Sequence, residues 1–369
     1  MWIVGRLAVA SEDIAKSKSS RVGLIASDRT LCEYSMFLRR LLVGLADESV
    51  PAALVCPALR NAAPAFTGTA EVINHPVFDL PLMGRLNIRL LVERLGKFKP
   101  TVLHCLCESQ ASLTAQLARR LDVPYILTVN SLQKRRSSLV VSSPHCVRIT
   151  TPAKSIADNL TALFPDYAEL IEQINIGTFA AETGGCFSRP SRLATIVMAH
   201  SSGKVDELEN VFSVVRHLLI DGYEFMMVVM VGGGAERQLW KLLAALDLVG
   251  VVTLVSGLMP WRLVATAGDI YVRPRPSSAF DPLLLEAMSV GTAVAACRGG
   301  VDDLIVDNQT AVVFNPDDEL SIMRTVQRLL DRREFASQLA RSAREYIREN
   351  YTVSGMIAAI FDMYGKVQV

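Results

Sequence analysis

An acidic side chain within an apolar helical segment is the first feature of this chain that points to chemistry. Asp281 followed by Pro282 is a typical helix start, because the aspartate accepts hydrogen bonds from the first N–H groups and proline needs no partner there. The apolar run continues to Val290, and Gly291 suits a left-handed helix ending. Glu286 therefore lies in the second turn, near the positive end of the helix dipole, which favours a carboxylate.

The position of Glu286 leaves two explanations open. Its two oxygens can accept hydrogen bonds from neighbouring hydroxyls of a sugar, or it can cap the helix or form an ion pair with a basic neighbour. Residues 269–272, DIYV, predict a strand that runs directly into this helix. The helix therefore begins at the carboxyl end of a strand, the edge at which α/β proteins bind ligands.

Basic side chains and glycines follow the same strand and the next one. Arg273 and Arg275 flank Pro274, and each guanidinium can hold a phosphate through two parallel hydrogen bonds. Gly299 and Gly300 follow the predicted strand 292–296.

A second basic cluster comprises Lys134, Arg135 and Arg136, which follow Asn130. It can bind an anion or a phospholipid surface, and a solvated run of surface charge is an equal alternative. His104, at the end of another predicted strand, is expected to be a satisfied core histidine rather than a ligand contact.

Short apolar runs alternate with amphipathic patterns along the chain, which predicts parallel sheets covered by helices on both faces. The predicted strands are residues 21–26, 52–56, 101–104, 123–129, 147–150, 193–198, 225–231, 251–255, 269–272 and 292–296. The predicted helices are residues 34–46, 109–121, 155–164, 207–220, 260–266, 282–290, 320–330, 333–349 and 353–366.

The stretch 178–191, TFAAETGGCFSRPS, is small and polar and interrupts this alternation, so it predicts a linker. We expect two Rossmann-like, doubly wound α/β domains that face each other across a cleft. Residues 1–180 form the first, with 1–20 as a loose extension, and residues 181–352 form the second. The helix at 353–369 is expected to pack back on the first domain.

Composition bounds the class of protein. The 369 residues carry 38 Lys and Arg against 37 Asp and Glu, a net charge of +1, which gives no general electrostatic reason to bind nucleic acid. The seven cysteines are scattered without CxxC spacing, which predicts a reducing cytoplasm. No apolar run of about 18 residues occurs, so membrane contact is at most peripheral, at the inner face. The five histidines lack i, i+4 pairing, so no metal site is predicted.

The run DIYVRPRPSSAFDPLLLEAMSVGTAVAACRGGVDDLIVDNQTAVVFNPDD, residues 269–318, resembles the nucleotide-binding half of retaining glycosyltransferases with the GT-B architecture. That group includes glycogen and sucrose-phosphate synthases. The segment VVMVGGGAERQLW resembles the strand and glycine turn of the same family. The resemblance covers nearly the whole chain and is strongest in the C-terminal third. The positions in register are Pro274, Phe280, Glu286, Ala287, Met288, Gly291, Gly299, Gly300, Asp303 and Ile305.

The resemblance implies transfer of a hexose from a nucleotide-diphosphate sugar with retention, with no metal and no other cofactor. It assigns the ribose hydroxyls to Glu286 and places Gly299 and Gly300 near the phosphates or the donor sugar. Lys204 stands where the family has a lysine that pairs with the leaving diphosphate. The residues expected to bind the donor are Glu286, Ser278, Asp281, Gly233, Arg273, Arg275, Gly299 and Gly300.

The sequence departs from the family at three positions. Ser278 replaces a glutamate that contacts the donor sugar, Ala199 replaces an arginine, and Asn130 replaces the catalytic-site histidine of the cleft. Lys134, Arg135 and Arg136 are the candidate contacts to the acceptor, which is a glycan, a lipid or a small molecule.

These departures leave two functions open, an active transferase and a degenerate binding or scaffold protein that keeps the fold. A nicotinamide-dependent oxidoreductase is disfavoured, because GGGAER at 232–237 lacks the third glycine of the G-x-G-x-x-G pattern. The sequence specifies neither the sugar nor the acceptor nor the oligomeric state.

Overall fold

The chain divides into two compact units. One consists of the chain up to Gly177 together with the chain from Val353 onward, and the other is Thr178–Thr352. The computed structural model describes residues 20–58, 70–76, 78, 83–141, 144–189, 192–200, 205–232, 234–256 and 261–367. Apart from Ser20, the extension expected at residues 1–20 lies outside these residues.

The first unit contains a parallel sheet whose inner strands are short and apolar. Its strands are β1 (Val22–Ile25), β2 (Ala52–Cys56), β3 (Ala70–Asn74), β4 (Val102–Cys105), β5 (Tyr125–Thr128), β6 (Cys146–Thr151) and β7 (Ile171–Gln173). The sheet order is β3-β2-β1-β4-β5-β6-β7. Every residue of β1, β2, β4 and β5 is buried, as expected for strands covered on both faces. The helices are α1 (Asp28–Cys32), α2 (Ser35–Asp47), α3 (Gly84–Phe98), α4 (Ala111–Leu121) and α5 (Lys154–Leu163).

The second unit repeats this plan with six parallel strands. These are β8 (Ala194–His200), β9 (Phe225–Val231), β10 (Val252–Ser256), β11 (Ile270–Arg273), β12 (Ala293–Cys297) and β13 (Val312–Phe314), in the order β10-β9-β8-β11-β12-β13. The helices are α6 (Glu209–Ile220), α7 (Glu236–Ala245), α8 (Trp261–Ala267), α9 (Pro282–Ser289), α10 (Glu319–Asp331) and α11 (Arg333–Asn350).

The helix that follows the second unit in the chain belongs to the first. This helix, α12 (Val353–Val367), packs against α2 at Gly44, where an added Cβ would lie 2.6 Å from the Cδ1 atom of Ile357. The thioether of Met356 accepts a hydrogen bond from the N–H of Gly177 at 3.1 Å. The first unit is therefore assembled from two separate parts of the chain.

Both sheets reverse their strand order at one point, between β1 and β4 in the first unit and between β8 and β11 in the second. Such a switch point leaves a crevice at the carboxyl ends of the strands, where doubly wound proteins bind ligands. The prediction of two Rossmann-like α/β domains is confirmed. No helix in the described part of the chain is long and apolar enough to cross a membrane.

Candidate functional site

The segment that joins β11 to α9 has the local structure that its residues predict. The Asp281 side chain accepts hydrogen bonds from the N–H groups of Leu283 and Leu284, at 3.0 and 3.1 Å, and Pro282 is the first residue of the helix. Gly291 follows the helix with a φ of +83°. These contacts fix the start of α9 at the carboxyl edge of the second sheet.

Glu286 lies inside the second unit, with 3 % of its surface exposed. Its Oε1 atom accepts a hydrogen bond from the hydroxyl of Thr178 at 2.9 Å, and its Oε2 atom forms an ion pair with Arg262. The ion pair with Arg262 thus agrees with the second of the two explanations, in which Glu286 pairs with a basic neighbour. Any sugar hydroxyl that binds Glu286 has to reach a carboxylate that two side chains already hold.

Arg262 is a residue that the sequence did not single out. Its Nη1 atom contacts Glu286, the hydroxyl of Thr178 at 3.2 Å and the hydroxyl of Ser289 at 3.1 Å, and its Nη2 atom donates to the carbonyl of Phe179. Thr178 was expected only as the start of a linker, yet its N–H donates to the carbonyl of Tyr351 at 2.7 Å. The guanidinium therefore connects α8, α9 and the first residues of the second unit.

The loop after β12 approaches the segment after β11 at Gly300. The N–H of Val301 donates to the carbonyl of Ser277 at 2.7 Å, and a Cβ on Gly300 would lie 2.0 Å from that carbonyl oxygen. Gly300 has a φ of +70°, which also favours glycine. The N–H of Gly299 donates to Asp302 at 3.0 Å, so this donor is used within the loop.

Arg273 and Arg275 have different environments. Arg273 is 3 % exposed, and its Nη2 atom donates to the carbonyl of Val301 at 3.0 Å. Arg275 is half-buried and donates to the carbonyl of Glu207 at 3.0 Å, and its Nη1 atom forms an ion pair with Asp317 at 2.5 Å. The structure therefore brings Arg273 to the Gly299–Gly300 loop, whereas Arg275 holds neighbouring parts of the second unit together.

The remaining donor-side residues are placed as follows. Ser278 is exposed at the carboxyl edge of the sheet, next to the bridge between Ser277 and Gly300. Lys204 and Gly233 lie outside the described residues. His200, the last residue of β8, is 6 % exposed, and burial lowers its pKa, which Glu207 partly opposes.

Asn130 lies in the first unit, where 5 % of its surface is exposed. Its side-chain amide donates to the carbonyl of Leu106 at 2.8 Å, and its N–H donates to Glu108 at 3.1 Å. It lines a cavity at the carboxyl ends of β4 to β7, together with apolar side chains such as Phe37 of α2 and Met363 of α12. Asn130 thus lies at a small cavity, and its amide already has a backbone partner.

His104 is a satisfied core histidine, as the sequence predicts. Its Nδ1 atom bonds to the hydroxyl of Tyr364 at 2.7 Å and its Nε2 atom to the hydroxyl of Thr128 at 2.8 Å. Thr128 in turn bonds to Thr150 at 2.8 Å. Complete burial lowers the pKa of His104 to about 3, so the ring is neutral in the folded chain.

The basic cluster of the first unit is at the surface. Lys134, Arg135 and Arg136 are exposed, and Arg136 forms an ion pair with Asp166 at 2.9 Å. Among the described residues, no three His, Cys, Asp or Glu side chains are grouped as a metal site would require.

Comparison with known proteins adds to this geometry. Residues 188–346 match the family model described as glycosyl transferases group 1. The chain is 23 % identical over 311 residues to the sulfoquinovosyl transferase SQD2 of Arabidopsis thaliana. The matched region spans 75 % of this chain but only 60 % of that protein. It is 25 % identical over 309 residues to a glycogen synthase of Mycobacterium tuberculosis, covering 76 % of this chain and 74 % of that one.

The fold also has solved counterparts. The Anabaena protein HepE, crystallised in complex with UDP-glucose, superposes with a TM-score of 0.74 at 12 % identity, covering 94 % of this chain and 99 % of that one. At this identity the likeness concerns the fold.

Proposed function

We propose that this chain, residues 188–346 of which match the family model described as glycosyl transferases group 1, transfers a hexose from a nucleotide-diphosphate sugar to an acceptor, with retention at the anomeric carbon. The observation that carries the proposal is the place of the matched segment in the fold. Residues 188–346 include the ends of β8 and β11, the capped start of α9 and the Gly300 loop, all at the carboxyl edge of the second sheet. The fold shared with HepE, solved with UDP-glucose, supports a nucleotide sugar as the donor.

The proposed role of Glu286 is to accept hydrogen bonds from the ribose hydroxyls. The carboxylate is held by Arg262 and Thr178 in the ligand-free chain. Nucleotide binding then places the ribose diol beside these two donors or in their place. Ser278, exposed at the same edge, is proposed to contact the transferred sugar.

The other proposed contacts concern the leaving group and the acceptor. Lys204 neutralises charge on the leaving diphosphate, as a cation must when the sugar–oxygen bond breaks. Asn130 and the exposed residues Lys134, Arg135 and Arg136 are proposed to face the acceptor, a glycan, a lipid or a small molecule. We also propose a cytoplasmic location, with at most peripheral membrane contact, which the seven free cysteines support.

A thermal-shift panel of nucleoside diphosphates and nucleotide sugars tests the donor. We expect at least one of them to raise the Tm of the purified chain, because a ligand that binds only the folded state stabilises it. The same panel with Glu286→Gln should show a smaller shift. Glu334→Gln, which removes an exposed carboxylate from the first turn of α11, is the matched control and should behave as the wild type.

Turnover separates the transferase from a binding or scaffold protein with the same fold. Donor hydrolysis or transfer by the wild type, with an NMR assignment of the anomeric configuration, supports the proposal. Nucleotide binding without any turnover across a panel of acceptors would favour the binding protein instead. A chain that binds no nucleotide at all rules out the transferase and leaves a scaffold protein with the same fold.

A further inference from the structure

Glu108 is a half-buried glutamate that follows the end of β4, at the carboxyl edge of the first sheet. β4 pairs in parallel with β5, and their register, continued beyond the strands, sets Glu108 level with Asn130. One oxygen of the carboxylate accepts a hydrogen bond from the N–H of Asn130 at 3.1 Å, and the other bonds to the hydroxyl of Ser131. Glu108 therefore holds two consecutive residues of the loop that follows β5.

The rest of this loop is also held by side chains. The amide of Gln133 donates to the carbonyl of Ser131 at 2.9 Å. The side-chain oxygen of Asn159, in α5, accepts the N–H of Gln133 at 2.7 Å, and the side-chain nitrogen of Asn159 donates to the carbonyl of Gln133 at 3.2 Å. Loops at a ligand-binding edge are commonly the mobile part of a fold. Here hydrogen bonds from two neighbouring elements fix residues 130–133.

These hydrogen bonds determine which end of the Asn130 amide faces outward. The nitrogen donates to the carbonyl of Leu106 at 2.8 Å, so the side-chain oxygen points the other way. That oxygen has no hydrogen-bond donor among the described residues and is accessible from outside the fold. Asn130 as a whole is only 5 % exposed. A buried side chain with an open acceptor is uncommon and favours a donor supplied by a ligand.

Asn130 lines a small cavity whose other polar side chains have partners. His104, Thr128 and Thr150 bond to one another, and the hydroxyl of Thr151 donates to a backbone carbonyl. Because the cavity is small, it admits a group of the size of a hydroxyl rather than a sugar ring. The open acceptor on Asn130 requires the entering group to donate a hydrogen bond.

We propose that Glu108 is a positioning residue for the acceptor: it fixes Asn130 so that the side-chain oxygen of Asn130 accepts a hydrogen bond from a hydroxyl group of the acceptor. The identity of the entering group as the acceptor rests on the proposed function. The fixed orientation of Asn130 rests on its contacts with Glu108 and Leu106. A carboxamide is not a general base, so Asn130 orients the hydroxyl and does not remove its proton.

Initial rates with the full chain test this role. The donor is the nucleotide sugar with the largest thermal shift, and the acceptors are glycerol, myo-inositol and methyl glucoside. Asn130→Ala and Glu108→Ala should each raise the KM of the acceptor about 10-fold, the effect of one lost hydrogen bond, with the KM of the donor unchanged. Glu169→Ala, at an exposed glutamate of the same unit, is the matched control and should change neither KM.

Two further variants separate positioning from a merely structural role. The double variant Glu108→Ala with Asn130→Ala should be no worse than Asn130→Ala alone, because Glu108 acts through Asn130. Glu108→Gln should keep the KM of the acceptor near that of the wild type, because glutamine can accept from the N–H of Asn130 and donate to the hydroxyl of Ser131. Additive losses in the double variant, or equal losses in Glu108→Gln and Glu108→Ala, overturn the proposal.

NMR of the ligand-free chain with isotope-labelled asparagine tests the positioning without turnover. The amide signal of Asn130, identified by its absence in Asn130→Ala, should exchange with water slowly in the wild type and in Glu108→Gln and faster in Glu108→Ala. An unchanged signal in Glu108→Ala overturns the proposal. If the signal responds but no nucleotide sugar binds or is consumed, the proposed function fails and the positioning of Asn130 stands. If the donor is consumed but none of these polyols is glycosylated, the acceptor role fails and the proposed function stands.

Discussion

Arg262 holds the carboxylate of Glu286, the acidic side chain to which the family resemblance assigns the ribose. The side chain of Glu286 is 4 % exposed and that of Arg262 is 25 % exposed, so the pair lies at the boundary of the interior. The same guanidinium contacts Thr178, Ser289 and Phe179. One ion pair therefore links the proposed nucleotide site to the segment at which the second unit begins.

Removal of Arg262 should destabilise the second unit more than removal of both partners. Arg262→Met leaves a buried carboxylate without its cation, and we expect a loss of about 3 kcal/mol, the lower end for a buried pair because Arg262 is partly exposed. The double variant Arg262→Met with Glu286→Leu should be more stable than Arg262→Met alone. Chemical unfolding of the four proteins in the cycle measures this coupling, and additive losses would show that the pair contributes nothing as a pair.

Gly300→Ala should lower the stability of the second unit for a reason that does not apply to every glycine with a positive φ. An added Cβ at Gly300 would lie 2.0 Å from the carbonyl oxygen of Ser277, whereas at Gly222, with a φ of +89°, no atom lies within 4 Å. Gly222→Ala should cost about 1 kcal/mol for the left-handed backbone. Gly300→Ala should cost a further 1–3 kcal/mol, roughly that of overpacking, and should also weaken nucleotide binding.

Calorimetry of the two glycine variants provides the comparison. Equal losses of stability in both would mean that the loop moves away from Ser277 at no cost, which contradicts the prediction.

The burial of His104 makes the stability of the first unit depend on pH. Its pKa is about 3 in the folded chain against an ordinary value of 6.5, so between these values the unfolded chain binds the extra proton. Folding is then favoured above about pH 6.5, and stability is lost as the pH falls towards 3, by about 1.4 kcal/mol per pH unit. We expect the difference in unfolding free energy between the wild type and His104→Gln to shrink by about 3 kcal/mol from pH 7 to pH 4.

Denaturant titrations of both proteins at pH 7, 6, 5 and 4 measure this difference. A constant difference across that range would mean that the ring is protonated in the folded chain as well.

The contact between Gly44 and Ile357 should control how α12 docks. Gly44→Ala brings a methyl group to within 2.6 Å of the Cδ1 atom of Ile357, and we expect a loss of about 1–3 kcal/mol despite the better helix propensity of alanine. Ile357→Val removes that Cδ1 atom, so the double variant should recover most of the loss. Gly365→Ala, at a glycine of α12 with no atom within 4 Å, is the matched control.

The sequence predicts the inner strands of the two sheets better than the outermost strands. Buried strands such as β2 and β9 are continuous apolar runs with no other explanation, and both were predicted with their observed bounds. The strands β3, β7 and β13 were not predicted, because β7 and β13 have only three residues each and three of the five residues of β3 are exposed. Helices α1, α3 and α7 were also not predicted.

The local part of the site was predictable, and the part that depends on tertiary contacts was not. The Asp281 cap and the ending at Gly291 depend on neighbours in the chain, and both predictions are confirmed. The contact of Arg262 with Glu286 spans 24 residues and that with Thr178 spans 84, and no periodic pattern joins such positions. The only signal for this ion pair in the sequence was that the predicted helix before the one with Glu286 contains a basic residue, Arg262. The difference between Arg273 and Arg275 likewise depends on Asp317, which is 42 residues away from Arg275.

The position of α12 in the chain has a consequence for synthesis on the ribosome. The hydrogen bond between His104 and Tyr364 and the packing of Ile357 on Gly44 require a helix that follows Thr178–Thr352 in the nascent polypeptide. At ordinary translation rates, synthesis of those intervening residues takes roughly 10 to 35 seconds. For that time the first unit lacks the helix whose Ile360 and Met363 line a cavity together with Phe37 and Ile176. The first 177 residues therefore cannot complete the packing of their own unit until the helix that follows Thr352 has been made.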